Sequence, residues 1–170
     1  MPGTPDFDDF YKANYPGMVA LVSAVLGDRA EAEDVVQEAF ARAFARWRRI
    51  GGYDLPEAWL RKVALRIAVD SGRRVRRALL LAARLSAQRQ PHAPGADEGI
   101  GSAEIGGALR RLPLRQRQAL VLHYVADLSV DQIAGECDVP VGTVKARLAA
   151  GRRRLERELS GAGKEALDAR

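Results

Sequence analysis

Apolar residues recur with a helical period along almost the whole chain, and one stretch, "SAQRQPHAPGADEGIGSAE" at 86–104, breaks the pattern. Nowhere do apolar and polar residues alternate for long enough to suggest a sheet. Together these features restrict the chain to an all-α fold of two small helical domains. The first is expected over 1–85 and the second over 105–160, with 86–104 as a flexible linker rich in Pro, Gly, Ala and Ser, and 161–170 as a short tail. At 170 residues and 47% hydrophobic content the chain has enough apolar material for cores of that size. Aromatics make up only 6%, so those cores rest mainly on Leu, Val and Ala.

A first helix is expected over Phe7–Leu26, with Phe10, Tyr11, Val19, Leu21, Val22 and Val25 as its apolar positions. Pro16 should kink or interrupt it, and Gly27 should end it. Asp28 followed three residues later by Glu31 fits an aspartate-led capping box, so a second helix should run from there to about Trp47. Val36, Phe40, Ala43 and Trp47 share its inward stripe, which leaves Asp34, Gln37, Glu38 and Arg42 on a face turned to solvent. After "GGYDLP" at 51–56 a third long helix starts near Glu57. Its inward stripe is Leu60, Ala64, Ile67, Ser71 and Val75, with Arg61, Lys62, Arg66, Arg73, Arg74 and Arg77 around it. Beyond the break, helices are expected at about 102–112, 113–125, 129–137 and 141–159.

Charge is segregated along this scaffold. Residues 1–45 carry eight acids against three bases, a net of −5, whereas residues 46–84 carry eleven bases against three acids, a net of +8. Residues 85–108 come to −2 and residues 109–170 to +4, which gives the overall +5. Two basic blocks suggest two contacts with a polyanion. Against that background "AEDVVQEAF" at 32–40 stands out as a compact acidic patch.

Several function classes are excluded. The chain has one cysteine, Cys137, and two histidines, His92 and His123, so neither an internal disulfide nor a metal site can be assembled from them. Both Cys137 and His123 are assigned to packing, and no cofactor is expected. A metal-dependent nuclease would need clustered carboxylates, and the one cluster, Asp34 to Glu38, has no His or Cys nearby. The N-terminus "MPGTPDFDDF" has no basic and apolar leader pattern, and the longest apolar run, "ALLLAA" at 78–83, is far shorter than the roughly 20 residues that span a bilayer. No membrane insertion is expected, and the reading is a reduced, cytoplasmic protein.

"LSVDQIAGECDVPVGTVKARLAAGRRRLERELS" has the spacing of a helix-turn-helix. Ser129 is placed as an N-cap, Ile133 and Ala134 point inward, residues 138–140 make the turn, and a second helix follows. Val144, Leu148, Gly151 and Leu155 form its buried stripe. Its opposite face carries Gly142, Ala146, Ala149, Ala150 and Arg153, flanked by Lys145 on one side and by Thr143, Arg147 and Arg154 on the other. Small side chains at the centre allow close approach to a major groove, and long cations at the border reach phosphates.

At this level of detail "LRRLPLRQRQALVLHYVADLSVDQIA" with "VPVGTVKARL" resembles region 4 of the extracytoplasmic-function (ECF) sigma factors. "GDRAEAEDVVQEAFARAFARW" with "PEAWLRKVALRIAVDSGRRVRR" resembles their region 2, and the two matches cover about 7–85 and 105–159. The resemblance implies a non-enzymatic bacterial initiation factor that binds core RNA polymerase and directs it to promoter DNA. It implies docking of Asp34, Gln37, Glu38 and Arg42 on the clamp coiled coil of the largest polymerase subunit, which gives the acidic patch a protein partner. It implies capture of an unstacked −10 base beside the loop at 48–56, with Arg48, Arg49, Tyr53, Trp59, Arg61, Lys62 and Arg66 supplying cations and flat rings. Arg73, Arg74, Arg76 and Arg77 would follow the phosphates, with Asp70 pairing to Arg74 one turn on. In region 4 it implies −35 recognition by Thr143, Lys145, Arg147, Arg153 and Arg154. Pro140 stands where the family often has a serine N-cap, Asp138 where a turn glycine is usual, and Ala150 where an arginine is common. The resemblance leaves room for an anti-sigma factor as a further partner. The competing reading is a one-component helix-turn-helix regulator, which would bind its duplex specifically without polymerase.

Overall fold

The computed structural model describes residues 6–85 and 103–168, and among the described residues every regular element is a helix. The first helix, α1 (Phe7–Leu26), is opened by Asp6, whose carboxylate accepts from the Asp8 amide. Pro16 sits inside it without interrupting it. The cost is one missing amide, and the carbonyl one turn earlier belongs to exposed Lys12, so the gap faces solvent. At the other end Gly27 takes the left-handed conformation (φ 78°) and its amide donates to the Ser23 carbonyl at 2.7 Å.

The second helix, α2 (Arg29–Phe44), starts where Asp28 accepts from the Glu31 amide at 3.0 Å. The expected capping box is only half formed. The Glu31 carboxylate turns away and accepts instead from the Ser71 hydroxyl at 2.7 Å, tying α2 to a helix forty residues on in sequence. Nor does α2 reach Trp47. Arg46 leaves the helical region (φ −123°, ψ 17°), and Trp47 opens a one-turn helix, α3 (Trp47–Ile50). That break swings the Trp47 ring back onto α1, 4.7 Å from Phe10 and 5.2 Å from Phe7 between ring centroids. Val36, Phe40 and Ala43 are buried as the periodicity requires.

Pro56 at the first position of α4 (Pro56–Leu85) suits a helix start, where its missing amide would have no partner anyway. Leu60, Ala64 and Ala68 are fully buried in the first half's core. Leu65 and Val69 are buried as well, on a second stripe that faces the other half of the chain.

That other half holds α5 (Ala103–Arg110), α6 (Leu114–Tyr124), α7 (Val130–Cys137) and α8 (Val141–Asp168). The expected linker thus lies outside the described residues except at 103 and 104, which already belong to α5. Ser129 and Gln132 form a complete capping box, with bonds of 3.2 and 2.8 Å. Asp138 ends α7 in the left-handed conformation (φ 52°) and turns the chain into α8. The stretch after Ser160, expected as a tail, continues α8 to Asp168: its glycines are outnumbered by Ala, Lys, Glu and Leu, all strong helix formers. In the middle of α8 Gly151 is buried against α6, where a Cβ would lie 3.1 Å from Leu120 Cδ1.

The two halves flank 86–102, as the compositional break demands, and they also pack on each other. α6 lies on α1 and α7 lies on α4. Leu114 approaches Gly72 so closely that a Cβ there would be 2.9 Å from its Cδ2. Arg117 is buried at the same junction, donating to the Arg110 carbonyl at 3.2 Å.

Replacing Ser129 by Ala removes one half of the capping box and should lower stability by about 1 kcal/mol, while Ser129→Asp retains most of it. Urea denaturation followed by circular dichroism measures both.

Candidate functional site

The acidic face of α2 is fully presented. Asp34, Gln37, Glu38 and Arg42 are all exposed, opposite the buried Val36, Ala39, Phe40 and Ala43. Glu38 pairs with Arg42 at 2.9 Å and Glu33 with Arg29 at 2.9 Å, both across one helical turn. Exposed pairs of this kind contribute roughly 0.3–0.5 kcal/mol each, too little to account for the patch by stability. Sequence reasoning missed a neighbour of this ridge. Phe44 is 66% exposed, its ring edge-on to Phe7 at 5.0 Å. The signal was available in the spacing, because Gln37, Ala41 and Phe44 fall in one row at i, i+4 and i+7, off the inward stripe.

The cations and rings assigned to the −10 face divide into two groups. Arg48 and Arg49 on α3, Tyr53 in the following loop, and Arg74 and Arg77 along α4 are exposed. Trp59 is half-buried against the core, Trp47 is held in the aromatic cluster, and the side chains of Arg73 and Arg76 lie outside the described residues. Arg61, Lys62 and Arg66 form the second group, on the side of α4 that α7 covers.

Arg61 makes a two-pronged contact with Glu136, its Nε donating to Oε2 at 2.9 Å and its Nη2 to Oε1. The side chains of this pair are only 17% and 13% exposed. Hydrogen bonding to Glu136 holds the Arg61 guanidinium still more firmly in its charged form, against the opposing effect of burial. Lys62 Nζ donates to Asp138 Oδ1 at 2.7 Å and to the Gly135 carbonyl at 3.0 Å, and Arg66 Nη2 donates to Asp138 Oδ2 at 3.0 Å. The Lys62 hydrogen bond, with the charges of Lys62 and Arg66, keeps the Asp138 carboxyl below the usual carboxylate range. These contacts join residues more than seventy positions apart, and no local pattern announces them.

On α8 the buried stripe is Val144, Leu148 and Gly151, with Leu155 half-buried. Lys145, Arg153 and Arg154 are exposed, Thr143 and Arg147 are half-buried, and small Gly142 and Ala146 lie open between them. The helix begins with the amides of Thr143 and Val144 donating to the Pro140 carbonyl at 3.0 and 3.3 Å. His123 and Cys137 serve packing. His123 Nδ1 lies 2.8 Å from the Leu128 carbonyl, and burial pushes the Cys137 thiol above its ordinary value. Among the described residues no helix is long and apolar enough to cross a membrane.

Comparison with known proteins accounts for both halves. Residues 10–78 match the family Sigma-70 region 2, and residues 102–155 match Sigma-70, region 4. The ECF RNA polymerase sigma factor SigW of Bacillus subtilis is 31% identical over 169 residues, spanning 91% of this chain and 87% of SigW. The chain belongs to the ECF sigma factors. This sigma factor is also 31% identical over 156 residues to EcfG of Rhodopseudomonas palustris, across 91% of its own length and 86% of EcfG. Its fold is shared with the sigma factor RpoE, solved in complex with the anti-sigma factor NepR from Bartonella quintana. That likeness has a TM-score of 0.70 at 24% identity, over 91% of this chain and 97% of RpoE. It is shared too with CnrH, solved with the cytosolic domain of CnrY, at a TM-score of 0.59 and 22% identity over 91% and 88% of the two chains. As a member of its family the protein is a non-enzymatic factor that directs transcription initiation by RNA polymerase.

The raised thiol pKa and partial burial of Cys137 make it a poor nucleophile at neutral pH. Alkylation by iodoacetamide at mildly alkaline pH should be about tenfold or more slower in the native ECF factor than in its urea-unfolded form. Labelling followed by mass spectrometry measures the ratio.

Proposed function

We propose that this ECF sigma factor divides its surfaces by charge. The exposed ridge of α2, Asp34, Gln37, Glu38 and Arg42 continued by Phe44, docks on core polymerase at the clamp coiled coil of the largest subunit. The cations of α3 and α4, with Tyr53 and Trp59, take the single-stranded −10 element. The N-terminal half of α8 enters the major groove of the −35 element, with Thr143, Lys145, Arg147, Arg153 and Arg154 as its contacts.

The observation that carries this reading is the separation of an exposed acidic ridge from exposed basic helices on one small molecule. A ridge with an aromatic residue at its end suits a protein partner, since interfaces favour aromatic anchors. A helix face with small side chains at its centre and cations at its borders suits a groove. RpoE and CnrH were solved bound to NepR and to a domain of CnrY. By that analogy an anti-sigma factor is a further partner of this chain, and the cytoplasm is where it meets polymerase.

Glu38→Lys reverses a charge on an exposed, weakly paired position, so stability should change by less than about 0.5 kcal/mol. Affinity for core polymerase should nevertheless fall by about tenfold or more. Fluorescence anisotropy with labelled sigma factor and purified core polymerase checks this, and undiminished binding would remove α2 from the docking surface. Lys145→Ala should weaken binding of the holoenzyme to promoter duplex and make the log–log salt slope shallower by about one unit, as expected for one lost phosphate contact. A titration over several salt concentrations reads the slope directly.

A further inference from the structure

One cavity of the molecule belongs to none of the surfaces assigned to polymerase or promoter. It has a volume of about 410 Å³ and lies between α1 and α5, with the turn into α2 on a third side. Small-molecule sites fall in a range of about 300–1,000 Å³. Val19, Ala20 and Ala24 of α1 and Leu109 of α5 give this one apolar walls.

Three hydrogen-bond donors around it lack acceptors among the described residues. Ser23 lines the α1 wall, and its hydroxyl is buried without a partner. Arg110 runs along the rim: a Cβ on Gly27 would lie 2.8 Å from its Cγ, and one on Gly106 would lie 3.7 Å from its Nη1. Among the described residues no hydrogen bond or ion pair engages that guanidinium. Behind Gly27 stands a second guanidinium, Arg117, whose Nη1 is 3.4 Å from the same Cβ position. It is buried, and its Nε is unpaired. Burial and the neighbouring charge of Arg110 both work against the charge of Arg117. The acids close to the rim are engaged elsewhere: Asp28 accepts from the Glu31 amide, Glu31 from the Ser71 hydroxyl and Glu33 from Arg29. Two adjacent cations and an orphan hydroxyl beside an apolar hollow call for an acceptor that carries negative charge on a hydrophobic body. The N-terminus of α2, at the same rim, favours the same sign of charge.

We infer that this cavity binds a small amphipathic carboxylate, whose apolar body fills the hollow against Val19, Ala20 and Leu109 and whose carboxylate is taken at the rim by Arg110 with the Ser23 hydroxyl. Arg117 stands behind them and adds its charge from a distance. None of these residues belongs to the proposed polymerase or promoter surfaces, so the site gives the factor a separate, small-molecule input.

The test uses the full chain with anilinonaphthalene sulfonate, an aromatic body bearing one anionic group, whose fluorescence rises on leaving water. Its titration should saturate at a single site. Octanoate should displace it at a concentration about tenfold lower than octanol, which has the same chain without the charge. Arg110→Ala should weaken both the probe and octanoate by about tenfold. Lys12→Ala, the same charge change at an exposed α1 position that does not line the cavity, should alter them by less than about twofold. Ala20→Trp, on an exposed position of the wall, should fill the hollow and abolish binding. Gly106→Leu fills it from α5, where an added Cβ meets only ordinary contact, and replaces the first plug if urea denaturation shows that variant to be unfolded. Binding that does not saturate, that survives Arg110→Ala or a folded plug variant, or that octanol competes for as well as octanoate does, overturns the assignment.

Discussion

A helix in a small domain ordinarily buries one stripe and leaves the remainder of its circumference to solvent. In this protein α4 buries two, Leu60, Ala64 and Ala68 toward α1 and α2, and Leu65 and Val69 toward the second half. The rest of the architecture follows from that demand. With few aromatics available, the first half gathers most of them into one cluster, Phe7, Phe10, Tyr11, Phe40 and Trp47, and sets small Ala32, Ala39 and Ala43 on α2 so that the helices approach closely. The second half is smaller, and it completes the cover over α4 with ion pairs as much as with apolar surface.

This arrangement sets some of the acids of a basic chain directly against its own cations. Two groups of acids stand out. One set lines an outward ridge on α2, and another, Glu136 and Asp138, is pressed against the densest cations of α4. On α8 Lys145, Arg153 and Arg154 are exposed, while Arg157 and Arg152 donate to the Arg153 carbonyl and the Tyr124 hydroxyl.

What could be read in the sequence is what short-range chemistry decides. Gly27 and Asp138 at left-handed turns, the amide-capping carboxylate of Asp28 and the full box at Ser129 and Gln132 each depend on neighbours within four positions. The buried stripe Val144, Leu148 and Gly151 follows from the helical period alone. The misreadings came where a side chain had a choice of partner. Glu31 could close its own cap or reach Ser71, and the tertiary bond prevailed. Arg61, Lys62 and Arg66 read as cations for DNA, and although Glu57 and Asp70 lie one turn from Arg61 and Arg66, nothing local announces their pairing with Glu136 and Asp138. A break in periodicity at 86–104 shows that two halves exist, and it says nothing of how they meet.

Gly151 has a bearing that reaches well beyond its size. It lets α8 lie so close to Leu120 and Gln116 of α6 that a side chain there would push Leu120 aside by a few tenths of an ångström. α8 is a rod of 28 residues, about 42 Å long, and this close approach is its fulcrum. Any added bulk there would tilt the rod about this contact and move its shorter, N-terminal arm, where Thr143 and Lys145 sit. A buried glycine therefore sets the angle at which the exposed cations of α8 are held on α6.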